Sequence, residues 1–278
     1  MRIYTAFDQH YLEPAVAMIR SLGRSNPTTS LTILSIDLSL RQKHWLADQS
    51  EISLRFYDIT IRTDVGIGLW FTPAVYARFQ GAEILGDDRL LYIDPDTLIM
   101  DDLTPLAEID LGASPIAGVP SIATPTIGSP LGIRDAENLG LDPTAPYISA
   151  GVLLMDRRHW LSGPYRDRLW SYAQSRPKIS MADQECLNYA LAGDWHRIHL
   201  RWNMETGLRE PMGLHRYMMA RYYDRTEITE ALSDPAIIHY NGPQKPWRSE
   251  SSDPWTRLWW SIRLDHDPSH DRPDADPL

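Results

Sequence analysis

The sequence predicts an α/β fold in which a doubly wound, mostly parallel sheet is flanked by helices. Strand-like and helix-like segments alternate from residue 2 to residue 93, which is the order of β-α-β units. The chain has 278 residues, of which 43% are hydrophobic. This length allows one large domain or one domain with a smaller extension, and this composition supports a packed core without disulfides.

The elements are assigned from the spacing of apolar residues. Continuous or alternating apolar segments predict strands, and apolar residues three and four apart predict helices. The predicted strands are residues 2–6, 31–36, 54–57, 89–93, 150–155, 197–200 and 236–238, with one more ending near Val119. The predicted helices are residues 14–22, 39–48, 72–85, 163–174, 181–191 and 255–263. Glycine and proline recur over residues 111–146, which we expect to be mainly loops near a site.

Three parts are expected along the chain. Residues 1–247 form the main domain, residues 248–264 form a tryptophan-rich helix packed on it, and residues 265–278 form a disordered acidic tail. The apolar stripe of the helix consists of Trp255, Leu258, Trp259 and Ile262. Arg257 and Arg263 lie away from the centre of that stripe. Docking on a membrane surface is the less favoured alternative, because the aspartates of the tail would repel anionic lipid.

Net charge and cysteine content narrow the class of protein. The formal net charge is −10 at pH 7 and no basic cluster is evident, which excludes a nucleic-acid partner. The single cysteine, Cys186, cannot form an internal disulfide, which favours a reducing compartment. The sequence contains neither an apolar stretch of about 18 residues nor a signal-peptide pattern, so we expect a cytoplasmic protein.

An acidic pair follows the predicted strand 89–93. Asp94, Pro95 and Asp96 lie where that strand ends, and ligands of open α/β sheets bind at the carboxyl ends of strands. Two carboxylates two residues apart can bind one Mg²⁺ or Mn²⁺ ion together with diphosphate oxygens. An isolated acidic pair of this kind is most often a simple turn. The pair alone therefore does not decide between a turn and a metal site.

Three further segments change that balance. The acidic pair lies within residues 92–99 (YIDPDTLI). The three further segments are residues 150–155 (AGVLLM), 183–188 (DQECLN) and 239–247 (HYNGPQKPW). In order and spacing these segments resemble glycosyltransferase family 8, over residues 1 to about 247. The resemblance implies a GT-A fold, a Rossmann-like sheet with a short C-terminal helical extension. It also implies transfer of galactose or glucose from a UDP-sugar, as in polysaccharide biosynthesis.

The resemblance implies a metal site made of Asp94, Asp96 and His239. The ion would be Mn²⁺, with Mg²⁺ as the alternative, since mixed nitrogen and oxygen ligands suit Mn²⁺ better than Ca²⁺. Lys245 would lie near the β-phosphate, and Gly242 would let the backbone approach the diphosphate. Outside the family pattern, such a histidine is more often structural, the lysine is a surface residue and the glycine belongs to a turn.

The same resemblance assigns the nucleotide site. Ala6, Asp8 and Tyr11 match an A-x-D-x-x-Y segment, in which the aspartate binds the uracil edge and the tyrosine stacks on the ring. Arg78 matches an arginine that reaches the donor sugar and the diphosphate. The structural alternatives are a helix N-cap for Asp8, a packed ring for Tyr11 and a helix-surface arginine for Arg78.

Asp183 and Gln184 would act at the reacting sugar. In the family, the aspartate binds sugar hydroxyls and the glutamine lies beneath the anomeric carbon, where a double-displacement enzyme would have a nucleophile. Because a glutamine amide is a poor nucleophile, the resemblance implies retention by front-face attack, in which the departing phosphate helps to deprotonate the acceptor. The structural alternative for Asp183 is a partner of the helix dipole.

Two departures from the family pattern affect the donor sugar. Ser149 stands where the family usually has asparagine, next to the donor-binding positions Ala150 and Gly151. The loop after Val119 lacks the aspartate that is common in the family. The sequence therefore does not separate galactose from glucose.

Two other functions stay open, and the acceptor is undetermined. Paired acids can hydrolyse glycosides, although Asp94 and Asp96 on one turn suit a shared cation better than opposite faces of a sugar. A non-catalytic protein that binds a UDP-sugar or carbohydrate would keep the fold without turnover. The acceptor is a glycan, a lipid-linked sugar or a protein.

Overall fold

The computed structural model describes residues 1–68, 71–209, 223–242, 244–248 and 253–264. Its strands are β1 (Arg2–Asp8), β2 (Ser30–Ile36), β3 (Ser53–Asp58), β4 (Arg89–Ile93), β5 (Thr97–Ile99), β6 (Ile116–Pro120), β7 (Ile148–Asp156), β8 (His196–Arg197), β9 (Met204–Glu205) and β10 (Ile237–His239). Its α-helices are α1 (Leu12–Ser25), α2 (Leu40–Asp48), α3 (Ala77–Ile84), α4 (Thr104–Glu108), α5 (Arg157–Ser162), α6 (Tyr165–Ser175), α7 (Ala182–Leu191), α8 (Arg225–Ser233) and α9 (Pro254–Leu264). Short 3₁₀ helices cover Gln9–Tyr11, Pro73–Tyr76, Glu137–Leu139, Leu200–Asn203, Thr206–Arg209 and Pro246–Arg248.

The main sheet has the strand order β3-β2-β1-β4-β7-β6-β8. Strands β3, β2, β1 and β4 run parallel, with Ile3 of β1 paired to Leu31 of β2 and Leu91 of β4. β7 is antiparallel to both of its neighbours, and β6 is parallel to β8. The prediction of a mostly parallel sheet is confirmed. The carboxyl ends of β1 and β4 consequently meet at one edge.

A smaller sheet has the order β5-β10-β9. β5 begins directly after the turn formed by residues 94–96, and β10 pairs with it in the antiparallel sense. On its other side β10 is parallel to β9. His239 is thereby paired to Thr97 on one side and to Glu205 on the other. This sheet brings together segments that are far apart along the chain.

Apolar side chains cover both faces of the main sheet. Ile3 belongs to a core that contains much of α1, whereas Tyr4 belongs to a second core with Phe79 and Trp160. Successive residues of a strand point to opposite faces, so the two cores lie on opposite sides of β1. β7 is buried from residue 148 to residue 155. Continuous burial of this kind is typical of a strand covered on both faces.

Several predicted boundaries differ from the observed ones. α1 continues to Ser25 instead of ending at Gly23, because the Asn26 N–H still bonds the Leu22 carbonyl at 2.8 Å. The helix predicted over residues 72–85 begins as a 3₁₀ turn that a proline opens. β5, β9, α4, α5 and α8 were not predicted, because short elements show no clear apolar period.

The glycine- and proline-rich segment 111–146 is more ordered than the expected loops. The strand near Val119 is confirmed as β6, which is buried along its length. The residues after it form a small core of their own, and its buried members are Ile127, Ile133, Ala136, Leu141 and Tyr147. Apart from β6 and the 3₁₀ helix Glu137–Leu139, these residues form turns and loops as expected. The loops nevertheless pack around apolar residues that are spaced without a regular period.

α9 packs against α1 and extends one of the two cores. Trp259 and Ile262 are buried in the cluster that contains α1. Arg263, which was expected away from the centre of the apolar stripe, is buried nonetheless, and its Nε and Nη2 atoms donate to Glu13 of α1 at 2.9 and 3.2 Å. The expected tail lies outside the described residues, and the domain boundary at Trp247 stays a prediction. Within the described ranges, no helix is long and apolar enough to cross a bilayer.

The buried Arg263–Glu13 pair predicts a large loss of stability when one partner is removed. Arg263→Met removes two charged hydrogen bonds from the buried carboxylate of Glu13, so the free energy of unfolding should fall by about 3 kcal/mol. The control is Arg158→Met, which removes an ion pair with Asp88 whose side chains are 77% and 57% exposed. Such exposed pairs contribute less than about 1 kcal/mol. Urea unfolding measures both variants, and equal losses would contradict the prediction.

Candidate functional site

The carboxylate of Asp94 lies at the end of β4 and is held by two neighbours. Arg78 binds both of its oxygens, with Nη2 3.0 Å from Oδ1 and Nη1 3.2 Å from Oδ2. The Tyr92 hydroxyl donates to Oδ1 at 2.5 Å. The Asp94 N–H donates to the Gly151 carbonyl of the adjacent β7 at 2.8 Å. Both the backbone and the side chain of Asp94 are therefore fixed.

Asp96 lies between a lysine and a histidine. Lys245 Nζ donates to Oδ2 at 2.7 Å, and His239 Nε2 lies 3.3 Å from Oδ1. Burial alone would raise the pKa of Asp96, but the Lys245 and His239 charges hold that pKa well below its usual range. Asp96 is therefore a carboxylate throughout the physiological pH range.

His239 reaches both acidic residues from the end of β10. Its Nε2 atom lies 3.7 Å from Asp94 Oδ2, in addition to its contact with Asp96. The Tyr240 N–H donates to the Asp96 carbonyl at 3.0 Å, so backbone pairing fixes the approach. Burial alone would lower the pKa of His239, but the carboxylates of Asp96 and Asp94 outweigh burial and raise it.

Gly151 makes room for the imidazole ring. A Cβ atom at this position would lie 2.3 Å from His239 Cε1 and 2.5 Å from His239 Nδ1. It would also lie 3.3 Å from Asp94 Oδ2. Any side chain here would displace the histidine from the carboxylates, so the small residue is a condition for the arrangement of the site.

Arg78 joins Asp94 to Asp183. Arg78 Nε lies 3.0 Å from Asp183 Oδ2, but its N–H bonds the Val75 carbonyl, which leaves Asp183 Oδ2 ion-paired without a hydrogen bond. The guanidinium carbon lies 4.8 Å from the centroid of the Tyr92 ring. The alternative of a helix-surface arginine is wrong, since Arg78 is only 8% exposed.

Asp183 is the second residue of α7 and is almost completely buried. Burial raises its pKa to about 6, although the positive charge of Arg78 opposes this shift. Ala182 before it has φ of +44°, a left-handed conformation that favours glycine. The entry into α7 thus combines backbone strain with an incompletely bonded carboxylate.

Side-chain bonds to the backbone attach α7 to β7. Asn188 pairs with Ile148, whose N–H and carbonyl lie 2.7 and 2.9 Å from the amide atoms. One turn earlier, Gln184 Oε1 accepts the Ala150 N–H at 3.0 Å. The Ala150 carbonyl accepts from Arg78 Nη1. These bonds bring Gln184 and Ala150 to the same edge as the acidic pair.

A series of buried hydrogen bonds begins at Nδ1 of His239, on the side of the ring that faces away from the two carboxylates. His239 Nδ1 lies 2.9 Å from Asn203 Oδ1, and Asn203 Nδ2 donates to Ser149 Oγ at 3.0 Å. Ser149 Oγ donates to Glu205 Oε1 at 2.9 Å. Burial raises the pKa of Glu205. The charge of His239 and the hydrogen bonds from Ser149, the Asn241 side chain and a backbone N–H act in the opposite direction and lower it. The hydroxyl of Ser149 is thus occupied inside the protein.

The sequence-predicted nucleotide residues lie at the end of β1. Ala6 is buried within that strand, and Asp8 accepts the His10 N–H at 3.0 Å as the N-cap of a 3₁₀ turn. The Tyr11 ring lies 6.4 Å from the ring of Trp247. Burial, and then the carboxylates of Asp96 and Asp94, raise the pKa of Tyr11, so its hydroxyl lies within their field.

The segment after β10 returns to the acidic pair. Gly242 has φ of +83°, which a residue with a side chain adopts only with strain. Lys245 Nζ also donates to the Tyr240 carbonyl at 2.7 Å. Pro243 lies outside the described residues. The turn therefore directs Lys245 back onto Asp96.

Three side chains offer ligand atoms to one point. One carboxylate oxygen each from Asp94 and Asp96 and one ring nitrogen of His239 all lie within 4.8 Å of one another. Within the described ranges this is the one such acidic and histidine group. Carboxylate oxygens suit Mg²⁺ and Mn²⁺, and the imidazole nitrogen widens the set to other divalent transition metals.

A family model described as "Glycosyl transferase family 8" matches residues 2–251 of the chain, which is most of its length. The chain belongs to this family. Two curated relatives match the chain at low identity. General stress protein A of Bacillus subtilis is 24% identical over 190 residues, 66% of this chain and 62% of that protein. Glycosyltransferase GlyF of Streptococcus pneumoniae is 25% identical over 269 residues, 94% of this chain and 61% of that protein.

This family 8 chain therefore spans less than two thirds of the length of these two relatives. Another relative, the lipopolysaccharide 1,2-glucosyltransferase of Escherichia coli, is 24% identical over 275 residues, 95% of this chain and 77% of that enzyme. Among solved structures, the galactosyltransferase LgtC with donor and acceptor sugar analogs superposes with a TM-score of 0.77 at 20% identity. The superposition covers 99% of this chain and 98% of that one. This likeness confirms the GT-A fold.

Three residues of this family 8 site were missed by the sequence interpretation. Tyr92 bonds Asp94, and Asn203 and Glu205 support His239 from behind. Tyr92 could have been found, because it lies two residues before Asp94 and therefore on the same face of the strand. Asn203 and Glu205 precede no distinctive motif, and their role depends on the pairing of β9 with β10.

Gly151→Ala should destabilise the folded family 8 chain. The added methyl overlaps His239 Cε1 and Nδ1, and overpacking of this kind costs about 1–3 kcal/mol. The control is Gly86→Ala, because a Cβ atom at Gly86 meets nothing within 4 Å. Chemical unfolding measures both. A Gly151→Ala variant as stable as the control would show that the histidine is not confined as described.

The raised pKa of Asp183 predicts a loss of stability with rising pH. The pKa is 3.8 ordinarily and about 6 in the folded chain, so the native state binds more protons between these values. The free energy of unfolding therefore falls as pH rises through this window. With EDTA present, the stability of the parent relative to Asp183→Asn should fall by about 2 kcal/mol between about pH 4 and pH 6.5. Parallel urea-unfolding profiles of the two proteins would contradict this.

Proposed function

We propose that this chain is a retaining glycosyltransferase that moves a hexose, galactose or glucose, from a UDP-sugar to an acceptor with the help of Mn²⁺. Mg²⁺ is the alternative ion, and the acceptor class is a glycan, a lipid-linked sugar or a protein. The observation that carries the proposal is the convergence of Asp94, Asp96 and His239 on one point at the carboxyl end of β4. Open α/β sheets bind their ligands at this edge.

The donor atoms fit a divalent ion. His239 Nδ1 lies 2.9 Å from Asn203 Oδ1, so Nε2 is the ring nitrogen that faces the two carboxylates. Neutral imidazole and carboxylate oxygens are an accepted ligand set for Mn²⁺. When bound, such an ion would neutralise charge on the diphosphate of the donor and on the departing UDP.

Two cations of the chain lie beside the same carboxylates. Lys245 reaches Asp96 from a flexible stem with three donor hydrogens, so its ammonium group can also bond a phosphate oxygen. Arg78 directs its donors at Asp94, Val75 and Ala150 and is buried. We therefore assign Lys245 to the diphosphate and Arg78 to the positioning of Asp94 and Asp183.

The end of β1 is the proposed nucleotide site. Asp8, half-buried at the strand end, offers a carboxylate to the uracil edge, and Tyr11 offers a ring face for stacking. Tyr11 lies within the field of Asp94 and Asp96, which supports one continuous site for the uridine and the diphosphate. Ala6 and Gly242 have small side chains or none, so the backbone at these two positions can lie close to the ligand.

The environment of Gln184 argues against a covalent sugar–enzyme intermediate, so the retention that the family resemblance implies would proceed by front-face attack. Its carbonyl oxygen is occupied by the Ala150 N–H, so the free end of its amide is the NH₂ group, which donates hydrogen bonds and is not nucleophilic. Asp183 beside it is held by Arg78 and would bind sugar hydroxyls. Front-face attack needs no protein nucleophile, since the departing phosphate takes the acceptor proton.

The position of the acids favours transfer over glycoside hydrolysis. Glycosidases place two carboxyl groups on either side of the scissile bond. Here Asp94 and Asp96 face the same imidazole nitrogen, at 3.7 and 3.3 Å. Such a pair can share one cation, and it offers no second carboxylate across a bound sugar.

Removal of either acidic ligand should abolish metal-dependent transfer. Loss of an outer-sphere partner lowers metal affinity or activity about 10–100-fold, so Asp94→Asn and Asp96→Asn should each cost at least about 100-fold in the rate of UDP release from a UDP-hexose. EDTA should have the same effect on the parent. The matched control is Asp88→Asn, an aspartate 57% exposed by side chain in the pair with Arg158.

Full activity of the parent in EDTA would contradict the proposal. Tight UDP binding without transfer or slow donor hydrolysis would instead favour the non-catalytic interpretation.

The transferred sugar should keep the α configuration of the donor. Retention is what the resemblance to family 8 implies, and the Gln184 amide, which that resemblance sets beneath the anomeric carbon, is not nucleophilic, so we expect front-face attack and no covalent intermediate. Proton NMR of the product, recorded early in the reaction, distinguishes the anomers. A β-linked product would contradict retention.

A further inference from the structure

We propose that Asn203, Ser149 and Glu205 form a relay of positioning residues that fixes the tautomer of His239, so that the proton stays on Nδ1 and the lone pair of Nε2 faces Asp94 and Asp96. The inference rests on the proposed function only in giving Nε2 a metal to bind. The relay itself is a property of the chain.

The relay is continuous and closed to solvent. Three contacts of 2.9, 3.0 and 2.9 Å join His239 Nδ1, the Asn203 amide, Ser149 Oγ and Glu205 Oε1. All four residues are at most 5% exposed. Water from outside therefore does not replace a missing partner, and each polar group depends on the next one.

A carboxylate at the far end gives the relay its direction. Ionised Glu205 only accepts hydrogen bonds, so the Ser149 hydroxyl donates to it and turns its oxygen lone pairs to Asn203. The Asn203 NH₂ group donates to that oxygen, which points the Asn203 carbonyl at His239. A carbonyl only accepts, so Nδ1 must carry a proton.

Two features of the fold keep the ends of the relay in place. β9 and β10 pair Glu205 directly with His239, so both side chains point to the same face of the small sheet. Glu205 also accepts bonds from the Asn241 side chain and from a backbone N–H. The carboxylate is thus fixed independently of Ser149, and among the residues that the structure describes the Ser149 hydroxyl links it to Asn203.

Breaking the central link should release the tautomer. In Ser149→Ala the Asn203 amide loses the acceptor that orients it and can rotate by 180°, which presents NH₂ to Nδ1. His239 should then divide between its two tautomers. Because a ligand nitrogen that carries a proton cannot bind metal, Mn²⁺ affinity should fall about tenfold, the lower limit for loss of an outer-sphere partner.

The experiment uses the full chain with ¹⁵N-labelled histidine, free of metal, at a pH where the imidazole is neutral. The ring ¹⁵N shifts report which nitrogen is protonated, and His239→Asn identifies the His239 signals among the nine histidines. Mn²⁺ affinity is measured separately from the EPR signal of the free ion. Ser21→Ala is the matched control, since Ser21 and Ser149 are both 2% exposed and Ser21 contacts α1 and β5 instead.

A conservative change separates positioning from packing. Asn203→Asp keeps an acceptor for Nδ1 and should keep the parent tautomer, whereas Asn203→Leu, of similar size, should lose it. The expected pattern is an Nδ1–H signal in the parent, Ser21→Ala and Asn203→Asp, and a mixture in Ser149→Ala and Asn203→Leu.

A parent His239 protonated on Nε2 would overturn the relay. So would Ser149→Ala with the tautomer and Mn²⁺ affinity of Ser21→Ala. If the tautomer pattern is as expected while the parent neither binds Mn²⁺ nor transfers sugar, the relay stands and the proposed function fails.

Discussion

The close approach of two carboxylates in a poorly solvated turn is the constraint on which the rest of the site depends. The side chains of Asp94 and Asp96 are 14% and 9% exposed, and like charges so placed repel unless cations or hydrogen-bond donors compensate them. Arg78 compensates the first and Lys245 the second, with His239 between them. Arg78 belongs to α3, whereas His239 and Lys245 belong to β10 and the segment after it. The charge of one turn therefore dictates which two distant parts of the chain must meet.

The two sheets solve this problem of assembly in different ways. The main sheet places β4 beside β1 and β7, which brings the end of β1, Gly151 and the start of α7 to one edge. The small sheet carries His239 to the same edge through backbone pairing with β5. Arg78 then links the acidic turn to Asp183, whose raised pKa records how little solvent reaches that point. Burying these charges lowers the stability of the fold. It also leaves the charged groups of the site already arranged before a ligand binds.

The sequence predicted the parts of the structure that depend on local patterns. Apolar period and strand-end placement located β4, the acidic pair and the β-α-β alternation, and the family resemblance added His239 and Gln184. Relations set by pairing between distant strands were not accessible: Asn203 and Glu205 acquire meaning only because β9 lies beside β10. Burial was also hard to predict for charged residues. Arg263 looks like a surface residue of an amphipathic helix until its partner on α1 is known.

The central claim is that one divalent ion binds between the acidic turn and β10 together with a nucleoside diphosphate. Anomalous diffraction from crystals grown with Mn²⁺ and UDP, recorded at the manganese edge, tests it most directly. The account predicts one strong anomalous peak in contact with Asp94, Asp96 and His239 Nε2, with the diphosphate completing its coordination. Bound UDP without a peak at these three residues, or a peak elsewhere, would contradict it.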